Sequence, residues 1–138
     1  MTIPDNSYFP FMNGEETMRK LAEGIREKMY NYVSNSKLQS LVLGISGGID
    51  STLCAALLRP VCERLNIPLI GRSITIETNK ADEIARSIAV GNAFCHDFEH
   101  VDLTDIFYEN KKMLIHFDDS MLSKLRQGNM KARMRYSV

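Results

Sequence analysis

The sequence has no surplus of charge of either sign: Lys and Arg number 17 together, as do Asp and Glu, among 138 residues. Such a balance gives no broad basic field, so neither a nucleic acid nor an anionic membrane is expected as a partner. Any anion must be held by local geometry. Cysteine is also scarce. Cys54, Cys62 and Cys95 are odd in number and form no CxxC pair, and two of them fall on an expected buried helix face. Reduced thiols in a cytoplasmic setting are therefore expected. No apolar run approaches the roughly 18 residues that a spanning helix needs, and MTIPDNSYFP has no basic region followed by an apolar one. The expectation is a protein neither exported by a signal peptide nor membrane-spanning. Repeats, low-complexity tracts and internal boundaries are missing, so residues 1–138 read as one domain. What the chain does have is a 44% hydrophobic content, enough for a real core.

The apolar residues fall into alternating patterns. Asn13 is the expected cap of a first helix, GEETMRKLAEGIREKMYNYV, with Met18, Leu21, Ile25, Met29 and Val33 on one face. LVLGI, apolar throughout and too short for a helix, reads as a strand buried on both faces. A second helix is expected from near Ser51, its stripe running through Leu53, Leu57, Val61 and Leu65, with a kink or break at Pro60. IPLIGRSITI is a second strand, NKADEIARSIAVGN a third helix, and FEHVDL a short strand before another helical stretch. This α-β-α-β-α-β-α order predicts an α/β fold, a doubly wound parallel sheet with flanking helices and right-handed crossovers. Ligands of such sheets bind beyond the carboxyl ends of the strands.

At that edge lies SGGIDS, Ser46 to Ser51. A buried strand turning through Gly47 and Gly48 into a helix leaves several N–H groups unpaired at the helix's positive end. The glycines permit positive φ and close approach of an oxyanion, and the Ser46 and Ser51 hydroxyls are further donors. Asp50 is the informative residue. An acid inside an anion cradle is repulsive unless a cation bridges it to phosphate oxygens, and the expected cation is Mg²⁺. A nucleoside triphosphate with its metal satisfies every group, whereas neither the Walker spacing nor GxGxxG fits.

SGGIDS after LVLGI resembles the pyrophosphate-binding loop of the N-type ATP pyrophosphatases, which adenylate a carbonyl or carboxyl oxygen and release pyrophosphate. Within that superfamily, RQGNMKARMR resembles the GNxxARxRM segment of NAD synthetases, matched by Gly128, Asn129, Ala132, Arg133 and Arg135. Tyr136 stands where that family usually has Met. With no glutaminase domain ahead of it, the chain is most similar to the ammonia-dependent type, and the likeness covers about half of that enzyme, its N-terminal half. The resemblance implies an adenine nucleotide alpha hydrolase-like fold that is incomplete at the C-terminus. It also implies ATP-dependent amidation of deamido-NAD to NAD with ammonia, through an adenylate, releasing AMP and pyrophosphate. By the same likeness ATP meets Gly44, Ile45, Ser46, Gly47, Gly48, Ile49, Asp50, Ser51 and Arg72. Arg133 meets deamido-NAD, Asp50 holds Mg²⁺, no side-chain nucleophile takes part, and the enzyme is a homodimer that stacks its dinucleotide near the Tyr30 and Tyr32 region.

Two other readings stay open: another N-type ATP pyrophosphatase, of the tRNA-modifying or GMP synthetase type, or a non-catalytic nucleotide-binding fragment. Arg126, Lys131, Arg133 and Arg135 form a basic segment suited to phosphate or carboxylate. The cluster CHDFEH lacks the HExxH order. On a strand its His96 and His100 share a face about 13 Å apart, so no metal is expected there.

Overall fold

The computed structural model describes residues 14–77, 80–113 and 120–137. Three strands, β1 (Leu41–Gly44), β2 (Leu69–Thr75) and β3 (Asp97–Asp102), form a parallel sheet in the order β1-β2-β3. Five α-helices flank it: α1 (Glu15–Asn35), α2 (Ile49–Leu65), α3 (Ala81–Phe94), α4 (Thr104–Met113) and α5 (Met121–Met134). A single 3-10 turn, Arg135–Ser137, follows α5.

Side chains alternate across the sheet, as the pleat requires. Leu69 joins Ile45, Ala55, Cys62 and Cys95 in the main core, where α2 and α3 lie. The opposite face carries Val42, Arg72 and Ile74. Toward the carboxyl end a second cluster of Ile76, Leu103 and Phe107 gathers Ile74, Val101, Met130 and Met134, which brings α4 and α5 onto the sheet. Helix α3 approaches β3 closely at Gly91, where a Cβ would lie 2.1 Å from the Phe98 ring.

Three expectations are corrected. LVLG is not buried on both faces: β1 has only β2 beside it among the described strands, and Val42 stays 67% exposed while Leu41 and Leu43 are half-buried. The stripe on α1 is covered only toward its end. Val33 is buried, but Met18, Leu21 and Ile25 are exposed, because nothing described covers the first half of the helix apart from its contact with α2. Pro60 does not break α2, which is one helix from Ile49 to Leu65. The expected Asn13 cap lies outside the described residues; Glu15 and Glu16 occupy the first turn of α1, where acidic side chains oppose the positive end of the helix.

Candidate functional site

The last rung of the β1–β2 pairing region is the Ile45 N–H donating to the Arg72 carbonyl at 2.8 Å. Beyond buried Ile45 the chain leaves the sheet and reaches α2 within three residues. Gly47 has φ 80°, and a Cβ there would sit 2.5 Å from the Glu83 carbonyl of α3, so this position needs glycine on both counts. Gly48 does not adopt positive φ. Its φ is −86°, and it is the N-cap of α2, so the helix begins before Ser51, whose hydroxyl folds back instead of capping.

The two serines shape the loop from within. Ser51 Oγ donates to the Gly48 carbonyl at 3.1 Å and accepts from the Ser46 N–H at 3.3 Å. With its proton so placed, Ser51 Oγ receives the Ser46 hydroxyl proton at 3.1 Å, while Ser46 Oγ accepts from the Gly48 N–H at 3.2 Å. Both hydroxyl protons are thus used inside the loop rather than aimed outward. The N–H groups of Ile49, Asp50 and Ser51, in the first turn of α2, have no acceptor among the described residues. Asp50 is exposed beside them. Arg86 of α3 braces the turn, its Nε donating to the Gly47 carbonyl at 3.3 Å.

A cleft of about 640 Å³ opens beside this loop at the carboxyl ends of β1 and β2. Gly44, Ile45 and Ser46 form one wall, Arg72, Ser73 and Ile74 the floor, Glu83, Ile84 and Ser87 of α3 another side, and Ala132, Arg135 and Tyr136 the rim. The family model described as NAD synthase matches residues 21–138.

The chain belongs to the NAD synthase family.

Its curated relatives include the NH3-dependent NAD(+) synthetases of Fusobacterium nucleatum, 29% identical over 131 residues, and of Campylobacter jejuni subsp. doylei, 31% identical over 128 residues. Each alignment takes in 92% of this chain but only 45% and 47% of the relative, so the chain spans about half the length of the proteins it matches. The fold agrees with that of the NH3-dependent NAD synthetase of Campylobacter jejuni subsp. jejuni at a TM-score of 0.70, with 23% identity over 86% of this chain and 48% of the other. The parallel sheet with helices on both faces is therefore the NAD synthetase fold, over about half its extent.

Within this family frame the expected site residues separate. Gly44, Ile45, Ser46 and Arg72 line the cleft, and Gly47 through Ser51 lead from its wall into α2. Arg72 is not at the end of its strand. It is the fourth of seven residues in β2, and its guanidinium bonds Asp97 at 3.2 and 3.4 Å and lies 3.8 Å from Glu99. The register explains this, since Glu99 is its neighbour on β3 and Asp97 shares the same face two residues earlier. Arg133 is exposed outside the cleft, whereas Arg135 reaches it. Tyr30 lies beneath Arg64, 3.6 Å from the guanidinium carbon to the ring centre, and Tyr32 is exposed.

Sequence reading missed Ser73 and Ser87. Their hydroxyls meet at 2.7 Å, fully buried, and Ser87 donates to the Ile84 carbonyl at 2.8 Å. Ser73 must then donate to Ser87 and accept from His100 Nδ1, 3.1 Å away, which places the proton of a neutral His100 on Nδ1. The available signal was a serine within the apolar face of helix 3. His96 is engaged as well, its Nδ1 accepting from the Leu69 N–H at 3.0 Å. No group of three metal-ligating side chains occurs among the described residues. The three cysteines are free; burial pushes the Cys62 and Cys95 thiols up from their ordinary value.

Proposed function

We propose that the chain forms the nucleotide-holding half of an ammonia-dependent NAD synthetase, a single N-type ATP pyrophosphatase domain over residues 1–138. The observation that carries this reading is the open first turn of α2, where three N–H groups have no acceptor among the described residues and Asp50 stands beside them, in a chain of the NAD synthase family. Such a turn suits an anion through its N–H groups and the positive end of the helix.

In this reading Gly44 to Ser51 cradle the β- and γ-phosphates of ATP, and the deamido-NAD carboxylate attacks the α-phosphorus. Pyrophosphate leaves, and ammonia then displaces AMP to give NAD. Charge develops on the leaving pyrophosphate, where N–H groups fixed in advance stabilise it without reorganising. The loop's internal serine bonds keep it in that shape. Arg72 reaches phosphate by exchanging the Asp97 and Glu99 carboxylates for the nucleotide. Arg133 is assigned to deamido-NAD. Mg²⁺ fits the donor set, because it takes one or two carboxylates and draws its other ligands from phosphate and water. Asp50 is the carboxylate at hand, and the ion would supply charge neutralisation between it and the phosphates. The half-covered α1 stripe suits a homodimer, and the free cysteines suit the cytoplasm.

Among the described strands β1 has only β2 beside it and only β1 and β2 line the cleft, which favours a second reading, a half-domain that binds nucleotide without completing amidation. Exchange of labelled pyrophosphate into ATP tests both. Exchange that requires deamido-NAD supports the synthetase; nucleotide binding without exchange supports the half-domain. Exchange driven by xanthosine monophosphate or tRNA instead would move the chain to another N-type ATP pyrophosphatase.

A further inference from the structure

Glu77 follows β2 at the carboxyl edge with φ 61°, a left-handed conformation in a residue that is not glycine. The other two such residues among those described, Lys37 and Asn66, sit where α1 and α2 end, a usual place for this geometry. Glu77 ends no helix. A strained residue of this kind persists when its surroundings over-determine it.

Those surroundings come from two helices. The Glu77 N–H donates to Thr104 Oγ1 at the start of α4, 2.8 Å away. Its carboxylate pairs with Lys131 of α5, and the side chains are only 18% and 19% exposed. The Tyr108 hydroxyl of α4 also favours the ionised form of that carboxylate. The Lys131 ammonium also lies 5.1 Å from the centre of the Phe107 ring, which is fully buried. Glu77 thus ties β2 to α4 and α5 at one point. The Lys131 ammonium, with smaller help from Tyr108 and Lys111, holds the Glu77 carboxyl below the ordinary carboxylate range against the opposing effect of burial.

A mostly buried ion pair need not add stability, because desolvation offsets attraction; fixing one arrangement among several is its better-supported use. Here the arrangement concerns the cleft. Residue 131 is followed at once by Ala132, and Arg135 lies one turn further on, both on the cleft rim. We propose that Glu77 is a positioning residue: through Lys131 it sets the rotation of α5 and thereby places Arg135 at the rim of the nucleotide cleft. The inference rests on the nucleotide reading of that cleft. Glycine at position 77 would ease the backbone but remove the carboxylate.

The test compares the full chain with Glu77→Gln, Glu77→Gly and Lys131→Met, and with the charge swap Glu77→Lys/Lys131→Glu. Glu77→Gly relieves the strained φ, so it guards against a variant lost to misfolding. Amide hydrogen exchange and calorimetric titration with Mg²⁺-ATP are the two readouts. Each single variant should speed exchange across residues 121–134 by about tenfold, leave α2 unchanged and weaken Mg²⁺-ATP severalfold. The swap should restore part of both. Unchanged exchange in α5 for the single variants would overturn the proposal, as would a loss of affinity with α5 undisturbed. If the unmodified chain binds no Mg²⁺-ATP, the nucleotide reading fails and the placement of Arg135 for it fails too, while the exchange arm still decides whether the pair anchors α5.

Discussion

Arg26 Nη2 donates to the carbonyl oxygen of Ala56, 3.4 Å away across the α1–α2 contact. That carbonyl lies four residues before Pro60, whose missing N–H deprives it of its helical partner. An arginine from the neighbouring helix takes the place of the lost bond, and α2 continues through the proline. Arg26 is itself held at a partly buried position, where its Nε has no partner among the described residues.

Removing the arginine should therefore matter only while the proline is present. Arg26→Leu should cost about 1 kcal/mol of unfolding free energy, and distinctly less in a Pro60→Ala background, where the alanine N–H can serve the Ala56 carbonyl. Urea unfolding of the wild type, both single variants and the double closes the cycle. Additive effects would show that the bond does not compensate for proline.

The two glycines of the loop should respond differently. Gly47→Ala places a methyl against the Glu83 carbonyl at positive φ, and should destabilise the fold by about 1–3 kcal/mol. Gly48→Val has ordinary φ and an exposed position, so thermal unfolding should move little. Its side chain blocks approach to the α2 N–H groups, and calorimetry should show Mg²⁺-ATP affinity down at least about tenfold. Equal behaviour of the two variants in both measurements would contradict the loop geometry.

Asp50→Asn should weaken ATP at least about tenfold when Mg²⁺ is present and leave affinity nearly unchanged in chelator. The salt and metal dependence are read by titration at fixed pH. A loss of the same size with and without Mg²⁺ would mean that Asp50 acts without a metal.

The Glu77–Lys131 pair also gives a sign for acid sensitivity. The carboxyl is held below its ordinary value near 4.5 in the folded chain, chiefly by hydrogen bonding to Lys131. Its contribution to stability is present above that value and is lost as pH falls through the lower folded one. Asp82 and Asp102 shift the same way, Asp82 through Arg86 and Asp102 through Thr104, so the whole chain should weaken in acid. Glu77→Gln should flatten only part of that decline. Identical pH profiles for variant and wild type, measured by denaturant unfolding from neutral pH downward, would remove Glu77 from the account.

Local pattern made the strand, loop and helix around Gly47 legible, because a short apolar run followed by two glycines has few conformations open to it. What each element packs against was less legible. Val42 looks as apolar as Leu41 and Leu43, yet its burial depends on which strands lie beside β1, a property of neighbours distant in sequence. Met18, Leu21 and Ile25 keep helical spacing whether or not anything covers them. The placement of Arg135 at the cleft and of Arg133 outside it has a similar origin. Arg133 lies in the last turn of α5 and Arg135 opens the 3-10 turn after it, and only Arg135 lines the cleft. The rotation that chooses between them is set by Met130, Lys131 and Met134 against partners near residues 77 and 107, and no inspection of GNMKARMR alone supplies it.

The close approach of α3 to the sheet at Gly91 reaches further than local packing. Glu83, whose carbonyl presses on Gly47, and Gly91, which rests on Phe98, lie eight residues apart on one rigid helix, about 12 Å. The helix works as a calliper, with one jaw seated on β3 and the other closing on the loop. Neither jaw has clearance for a methyl group. A side chain added at Gly91 would lift the seated jaw and let the far one drift, so the curvature of the loop is gauged by a contact that touches none of its residues.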